Sequence, residues 1–541
     1  MSGGSSRLRS AAVRATGEVL AAAALFAAAG AWPTPDINES VYLTKALHRA
    51  DPAWCRGDFF LETPDAHGVF FVAFGPLIAA LPPDSAAWVG RILGWLALAA
   101  GFRHAIAPLV DRSWARILAA AIFSMAVRYT PAAGEWVIGG CEAKVFAWAA
   151  LLAGVGEVVR GRHAIAWVLC GAGAAVHPVV GGWGMVVVAA TWLAGHRRDQ
   201  GPSWRGVTSP GVAPTAWLVV GVALAACGAV PAARLSADAD AATRAAANLI
   251  YVVERLPHHL LPRSFAAGLV ARHLLAIAVW WLLARDLPAT APRRRLTLLV
   301  GATLMLSLVG WLVSLAEPWA PAVVHGVLRF YWFRLADGIV PLALAATVAA
   351  ILEDDGLVCR VIRVTPAVVR GVVVVALGLD LGVEAVHWPL PGRAVVSRAD
   401  LKVDARAWAD ACAWVRDHVP SDACFLTPRA SASFLWRTGR REVVCWKNSP
   451  QDARSLVEWR RRIVDCLSPD DGITRLGAST AAFGADRMRA VAARYGATHA
   501  IVPLDTCGLD ALPFPRLYAN AGFAVLRLEP LTAAARPGDR P

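Results

Sequence analysis

The chain has 541 residues, of which 57% are hydrophobic and only 17% are charged, and its mean hydropathy is +0.49. Soluble globular proteins are about 45–50% apolar and about 25% charged, so this composition excludes a wholly soluble protein. The net charge of +13 does not indicate nucleic-acid binding, because the arginines lie in short loops between apolar runs rather than in a basic stripe with interleaved aromatic residues. The ten cysteines show no CxxC or metal-type spacing and are predicted to be buried thiols, with a disulfide as the alternative if the tail lies outside.

The N-terminal segment carries Arg7, Arg9 and Arg14 before an apolar run at 16–32. Its small residues would suit a signal-peptide cleavage site. Because many further apolar runs follow, we interpret the segment instead as an uncleaved anchor. The anchor would run from the cytoplasm outward and leave the polar, acidic stretch 33–67 on the outside.

Apolar runs suited to membrane helices continue along a membrane domain predicted at 1–390. A span needs about 20 residues, and only helices or closed barrels satisfy the backbone in lipid. Runs rich in Leu, Ala and Val indicate helices rather than a barrel. After the anchor the runs are 68–81, 86–108, 114–130, 143–159, 162–176, 179–195, 212–231, 266–285, 295–316, 334–352 and 365–386.

Arginines between the runs orient the helices, because short cytoplasmic loops are enriched in Lys and Arg. If 68–81 also spanned, every later arginine cluster would face the wrong side, and at about 14 residues it is shorter than a span. We therefore predict that 68–81 is a helix in the outer interface. This leaves eleven spans and an extracytoplasmic C-terminal tail. The orienting arginines are Arg112, Arg116, Arg160, Arg162, Arg197, Arg198, Arg293, Arg294, Arg295, Arg360 and Arg363.

The composition changes near residue 395, and the tail at 395–541 alternates helix and strand patterns, which predicts a small α/β domain. The segment 404–419 has helical periodicity with Asp404 as its N-cap, and 451–467 and 486–496 are also predicted helices. No GxGxxG or P-loop pattern occurs, so no cofactor is assigned to this domain. Four short buried strands are predicted at ACFLTP, REVVCW, THAIVPL and FAVLRL.

The first outer loop, predicted at 33–85, contains most of the acidic candidates. Asp36 and Glu39 stand at i and i+3 and would share one face of a helix. A carboxylate there suits a general base toward an acceptor hydroxyl or amine, or a divalent-cation ligand. The alternative is a capping box, with Asp36 as N-cap and Glu39 at the third helical position. A second cluster in this loop is either functional or a solvated turn; it contains Asp58, Glu62, Asp65 and His67.

The second outer loop contains PAAGEWVIGGCEAK at 131–144. Glu142 is a candidate second acid, and Lys144 is a candidate contact to phosphate. The alternative is a structural Glu–Lys pair, with Trp136 anchoring the loop at the interface. The sequence alone leaves both interpretations open.

The remaining outer segments carry histidines and arginines that are candidate substrate contacts. His177 lies at a break between two apolar runs and is either a ligand or a packing residue at a helix end. Arginine binds phosphate through two parallel hydrogen bonds. For Arg334 the alternative is snorkelling combined with an ion pair to Asp337. The other candidates of these segments are Arg255, His258, His259 and Arg329.

The order of these features resembles the GT-C superfamily of polytopic glycosyltransferases, which includes protein O-mannosyltransferases and the aminoarabinose transferases that modify lipid A. In that superfamily the first span enters a large outer loop with a D-E-x-x-Y motif followed by Gly-Asp, and a second acidic motif follows the third span. NESVY, GDFF and GEWVIGGCEAK occupy the corresponding places here. Asn38 stands where the superfamily has Asp, and the nearest Asp is Asp36, so the catalytic base is open between Asp36 and Glu39.

The resemblance implies a transferase in the inner (plasma) membrane of a bacterium, which moves a sugar from a polyprenyl-phosphate donor to an acceptor of unspecified class at the outer face. Asp36 or Glu39 would take the proton of the acceptor, the anomeric centre would invert, and the candidate Arg and Lys side chains would stabilise the departing phosphate. A divalent cation is optional in this superfamily. Two rival hypotheses are a transporter or flippase, which favours broken helices and polar groups at the midplane, and a non-catalytic scaffold whose α/β domain binds a partner.

Overall fold

The computed structural model describes residues 2–196 and 214–528, and most of them are helical. The first part contains the helices α1 (Ser2–Gly30), α2 (Glu39–Ala50), α3 (Gly68–Ala80), α4 (Pro83–Ile106), α5 (Ser113–Tyr129), α6 (Ala143–Arg160), α7 (His163–Val176) and α8 (Pro178–His196). The next part contains α9 (Pro214–Arg234), α10 (Ala241–Leu249), α11 (Pro257–Leu260), α12 (Ala267–Ala284), α13 (Ala291–Leu315), α14 (Pro321–Leu328), α15 (Ala336–Leu352), α16 (Asp355–Ile362) and α17 (Pro366–Ala385). A π-helical turn at Ile250–Arg255 follows α10.

Seven helices are long and apolar enough to cross a membrane, and α15 with Asp355–Val361, bent by 107°, makes an eighth if counted as one span. The prediction of a helical multi-pass membrane protein is confirmed at this level. The count of eleven spans is not confirmed, because α5 and α7 have only 17 and 14 residues and α6 carries Lys144, Glu157 and Arg160. The seven are Arg9–Gly30, Pro83–Ile106, Pro178–Gly195, Ala216–Arg234, Ala267–Ala284, Ala291–Leu315 and Pro366–Ala385.

The helix bundle is held together by close packing around buried aromatic residues. Trp148 on α6 and Phe102 on α4 are almost completely buried in its core. Gly101 lets α4 approach α6, because a Cβ at this position would lie 2.4 Å from the carbonyl oxygen of Ala149. Small residues at such crossings are typical of helix packing in membranes.

Helix α3 corresponds to the segment predicted at 68–81. It has 13 residues, fewer than a span requires, and it packs on α2 and α4 through the buried side chains of Phe70 and Phe71. Its length agrees with the predicted interfacial helix. Its depth in a membrane stays a prediction.

The C-terminal part of the chain forms an α/β unit with a five-stranded sheet. Its helices are α18 (Ala405–His418), α19 (Phe434–Thr438), α20 (Ala453–Leu467) and α21 (Gly484–Tyr495), and its strands are β1 (Cys424–Leu426), β2 (Arg441–Glu442), β3 (His499–Pro503), β4 (Arg516–Ala519) and β5 (Phe523–Arg527). The strand order is β2-β1-β3-β5-β4; β1 is parallel to β2 and β3, whereas β5 is antiparallel to β3 and β4. The three predicted helices and four predicted strands are present, and Asp404 caps α18 as expected.

Alternating side chains of the strands point to opposite faces of this sheet, and each face has its own apolar core. Phe425 packs with Trp408 of α18 on one face. Leu426, the next residue, packs with Trp459 of α20 on the other. All cysteines of the α/β unit are free thiols; Cys412, Cys424, Cys445 and Cys466 are buried, and Cys507 is exposed.

The α/β unit is docked on one end of the helix bundle, which we call the domain face. Arg460 of α20 forms a bidentate ion pair with Glu254, at 2.8 and 3.0 Å. The side chain of Gln451 accepts a hydrogen bond from the backbone N–H of Ala66 at 3.3 Å. The unit therefore contacts at least two of the loops that carry candidate site residues.

The loops predicted to be outside lie at the domain face, and the arginine-bearing loops within the described residues lie at the other end. There, Arg295 donates a hydrogen bond to the carbonyl of Val159 at 3.2 Å. Arg197, Arg198 and the end of the predicted α/β domain at 529–541 fall outside the described residues. The side of the membrane that the domain face occupies stays a prediction.

Candidate functional site

Glu39 forms the centre of a buried network that joins three segments at the domain face. It is the first residue of α2 and is 0% exposed. Arg91 of α4 binds both of its carboxylate oxygens, at 2.6 and 2.5 Å. The backbone N–H groups of Asp36 and Cys141 also donate to it, at 2.6 and 2.7 Å. Four donors therefore occupy this carboxylate, and its geometry is that of a structural anchor.

The electrostatics of Glu39 agree with that geometry. Burial alone would raise the pKa of Glu39, but the Arg91 guanidinium and the two backbone donors lower it below its ordinary value. A general base works best with a pKa near the working pH. Gly140 is required beside it, because a Cβ at Gly140 would lie 2.5 Å from Oε1 of Glu39.

Asp36, the second predicted catalytic residue, is also 0% exposed but has fewer partners. One carboxylate oxygen accepts the backbone N–H of Ile37 at 2.7 Å, and the other lies 3.4 Å from Nη1 of Arg398, in the linker to the α/β unit. The predicted capping box forms only in part. Glu39 binds the N–H of Asp36, whereas the N-cap of α2 is Asn38, whose side chain makes no capping bond.

Glu142 lies in the second loop and contacts the first loop. Its carboxylate accepts hydrogen bonds from the side-chain amide of Asn38 at 2.9 Å and from the indole of Trp136 at 3.0 Å. It is 0% exposed. Burial raises the pKa of Glu142, and the negative charge of Asp36 raises it further. Two carboxyl groups from distant parts of the sequence thus share one buried site.

A chain of opposite charges continues from Glu142. Nζ of Lys144 lies 3.7 Å from Glu142 and 3.3 Å from Glu135, and it stands over the ring of Trp136 at 3.3 Å. Nε of Arg334 lies 3.0 Å from the other oxygen of Glu135. Burial would raise the pKa of Glu135, but Arg334 and Lys144 lower it. The expected Arg334–Asp337 pair is not formed, because Glu135 of the second loop takes the place of Asp337.

His177 and His67 extend this cluster of charged side chains toward α3. The ring of His177 accepts from Nη1 of Arg334 at 3.4 Å and lies 4.9 Å from the ring of His67. Nδ1 of His67 lies 2.7 Å from Asp65, whose other oxygen is 3.7 Å from Nζ of Lys45. The structure therefore brings His67 and His177 together with Glu142, Lys144 and Arg334.

The other predicted contacts occupy the rim of the domain face. His259 binds the carbonyl of Ala133 at 2.5 Å. The ring of His258, which is exposed, lies 4.1 Å from the ring of His259 at an angle of 45°. Burial lowers the pKa of His259 to about 4. Arg329 lies apart from these residues and donates to the side chain of Asn248 at 2.8 Å.

Asp58 is not part of this group and lies in the seam between the first loop and the α/β unit. Its carboxylate accepts the backbone N–H of Leu61 and the backbone N–H of Glu442, both at 3.0 Å. Burial raises the pKa of Asp58 to about 6. Burial, and then the charge of Asp58, raises the pKa of Glu442 to about 8. The carboxylate of Asp58 therefore joins the first loop to β2, whereas the side chain of Glu442 accepts hydrogen bonds within the α/β unit, from Thr427 at 2.9 Å and Asn448 at 3.0 Å.

We expect Glu442→Gln to stabilise the protein at pH 8 and to change little at pH 5. The pKa of Glu442 is raised in the folded state, so its stabilising effect is complete below the unfolded pKa of about 4.3 and is lost as the pH rises through about 8. Glutamine cannot ionise, and the gain at pH 8 should be roughly 3 kcal/mol. Thermal unfolding of the detergent-solubilised wild type and variant at both pH values measures this gain in stability. Asp486→Asn, at an exposed site, is the control, and an equal gain at pH 5 would contradict the prediction.

Two important residues were missed in the sequence. Arg91 lies inside the apolar run 86–108, and a charge inside a span is itself a signal of a buried partner. Lys447, in the loop after β2, carries no local motif; its charge interacts with Arg255 and Glu142 because the α/β unit docks there. Among the described residues, no group of three or more His, Cys, Asp or Glu is arranged to hold a metal ion.

Comparison with known proteins covers one part of the chain. A family model described as a domain of unknown function (DUF6798) matches residues 406–466. That segment contains β1, α19, β2 and most of α18 and α20, and it includes both Glu442 and Lys447. The chain matches none of the curated proteins. The matched segment is a small fraction of the chain and lies within the α/β unit.

Proposed function

We propose that the chain is a membrane glycosyltransferase that moves a sugar from a polyprenyl-phosphate donor to an acceptor at the outer face of a bacterial plasma membrane. The observation that carries the proposal is the meeting of Asp36, Asn38 and Glu142, from two separate loops, beside Lys144 and Arg334 at one end of the membrane helices. Such a reaction needs a carboxylate for the acceptor and cations for the departing phosphate. The α/β unit would then be extracytoplasmic.

Asp36 is the proposed general base, since the four donors on Glu39 leave it no free lone pair facing a substrate. As the acceptor oxygen or nitrogen bonds to the anomeric carbon, the bond from that carbon to the phosphate oxygen breaks. The electron pair leaves with the phosphate, and the proton of the acceptor passes to Asp36. The carboxylate of Glu142, which already binds the side chain of Asn38, accepts a hydrogen bond from a sugar hydroxyl. Lys144 and Arg334 offset the charge on the phosphate.

The bend between α15 and α16 does not favour the rival transporter hypothesis. In transporters, broken helices flank a substrate site near the midplane. Here the bend falls beside Glu353 and Asp354, at the end of α15 remote from Asp337 and the acidic site. Asp354 caps α16 by accepting the N–H groups of Gly356 and Leu357. The bend is therefore a capped helix end.

Release of labelled sugar from synthetic polyprenyl-phosphate sugars, incubated with membranes that contain the protein, tests the proposal. We expect Asp36→Asn to lower the rate about 100-fold or more, since it removes the base, while the melting temperature stays close to that of the wild type. Glu142→Gln should mainly raise the KM for the donor. Asp51→Asn, at an exposed position, is the matched control and should be fully active.

Two results would contradict the proposal. One is a wild-type protein that releases sugar from no donor of the panel. The other is an Asp36→Asn variant that keeps full activity, which would remove the first loop from the chemistry. Movement of an intact donor between leaflets without release of sugar would support the transporter hypothesis instead.

A further inference from the structure

Two cations, one from each part of the molecule, lie together at the domain face. Arg255 ends the π-helical turn Ile250–Arg255. Lys447 follows β2 in the α/β unit. The guanidinium carbon of Arg255 is 5.3 Å from the ring centre of Trp446, the neighbour of Lys447 in the chain. Burial lowers the pKa of Lys447 to about 8, and the charge of Arg255 contributes to this shift, which indicates that the two cations are close.

Among the residues that the structure describes, no carboxylate forms an ion pair with Arg255 or Lys447. Nε of Arg255 is buried without a hydrogen-bond partner among the described residues. Its electrostatic neighbours are the side chains of Tyr331, Tyr251 and Cys445. A guanidinium that is only partly exposed and has no counterion is costly. An anion bound between Arg255 and Lys447 would remove that cost.

The tyrosines and the backbone around the two cations also suit an anion-binding site. The hydroxyls of Tyr251 and Tyr331 are 3.0 Å apart, and burial raises the pKa of Tyr331, so it keeps its proton. Tyr331 has a φ of +55°, a backbone conformation that is unfavourable for a bulky residue and concentrates at functional sites. π-Helical turns are likewise frequent at functional sites. Two unusual backbone segments therefore meet at one place.

We propose that Arg255 and Lys447 form a clamp for a phosphate group, which is complete only when the α/β unit is docked. The proposal rests on the proposed function, because Lys447 also feels the charge of Glu142 and the clamp therefore adjoins the acidic site. Arginine offers a forked pair of donors and lysine a compact charge, which together suit phosphate oxygens.

The phosphate belongs either to a membrane lipid or to a free ion, and binding to the purified full-length protein in detergent distinguishes them. The probes are a short-chain polyprenyl monophosphate and inorganic phosphate, titrated in separate calorimetric experiments. We expect Lys447→Met and Arg255→Gln each to weaken binding of the lipid about 10-fold or more. Because both cations bind the same phosphate group, the affinity of the double variant should fall by less than the product of the two single fold-losses. Lys447→Arg should largely restore binding.

Lys402→Met is the matched control. It removes the same charge from the exposed rim of the same unit, near His258, and should leave binding within about 2-fold of the wild type because exposed charges are screened. Inorganic phosphate that competes with the lipid and depends on both cations would support the clamp with a free ion as a second ligand. Melting temperatures show whether each variant is folded.

Two outcomes would overturn the clamp: folded Lys447→Met and Arg255→Gln variants that bind as the wild type does, or a Lys402→Met variant that loses as much affinity as they do. Failure of the clamp and failure of the proposed function are distinguishable. If the rate of sugar transfer is unchanged in both the Lys447→Met and the Arg255→Gln variants, the clamp alone is contradicted. Lipid binding through both cations, in a protein that releases no sugar, contradicts the transferase alone.

Discussion

Replacing Arg91 with methionine is expected to remove most of the folded protein from the membrane. The substitution leaves the carboxylate of Glu39 buried without its counterion, and it removes the donor to the carbonyl of Trp32. Breaking a buried ion pair on one side costs about 3–5 kcal/mol, which is a large part of the stability of a typical protein. The yield of monodisperse protein after detergent extraction, together with its melting temperature, measures the loss.

The double variant Glu39→Met with Arg91→Met is the control that identifies the cause. Apolar residues of similar size often replace a buried ion pair at little cost, so the double variant should recover part of the lost stability. Recovery stays partial because the N–H groups of Asp36 and Cys141 also lose their acceptor. A Glu39→Gln variant with wild-type stability but no sugar transfer would contradict this structural role and return Glu39 to the catalytic candidates.

The α/β unit could be predicted almost completely because its signals are local. Buried strands such as HAIVP, at His499–Pro503, can be recognised from their apolar, β-branched composition. Asp404 indicates a helix start because aspartate is a preferred N-cap residue. Strand β4, at Arg516–Ala519, was missed. It lies at the edge of the sheet with mostly exposed side chains, so it lacks the apolar pattern that makes a strand recognisable in sequence.

The membrane domain and its site were predicted less completely, because they depend on contacts between distant loops. The predicted orientation of the spans put Glu142 and Asp36 at the same end of the helices, and the structure places them in one buried cluster. The pairing of charges could not be predicted: Arg334 is three residues from Asp337, yet it binds Glu135, about 200 residues away in the chain. Which carboxylate an arginine reaches is decided by the path of the second loop, and no local pattern encodes that path.

Asp337→Ala is expected to release this second loop from α15. The carboxylate of Asp337 accepts the backbone N–H groups of Ala132 at 2.6 Å, Ala133 at 3.1 Å and Glu135 at 3.2 Å. Alanine leaves these buried donors without an acceptor, and each unsatisfied group costs about 1–3 kcal/mol. The melting temperature should therefore fall strongly. The amides of residues 132–135 should also lose protection in hydrogen exchange, which reports the loop directly.

The same substitution should also abolish the proposed sugar transfer. The loss would come from misplacement of the loop that carries Glu135 and Glu142, because Asp337 itself takes no part in the proposed chemistry. Asp337→Asn keeps one acceptor oxygen and should therefore lie between Asp337→Ala and the wild type in stability and amide protection. Asp286→Ala, at an exposed site near the other end of the bundle, removes a carboxylate of the same kind and should change neither. If Asp337→Ala retained wild-type protection at 132–135, the loop would be held by other contacts, with His259 at the carbonyl of Ala133 as the next anchor to remove.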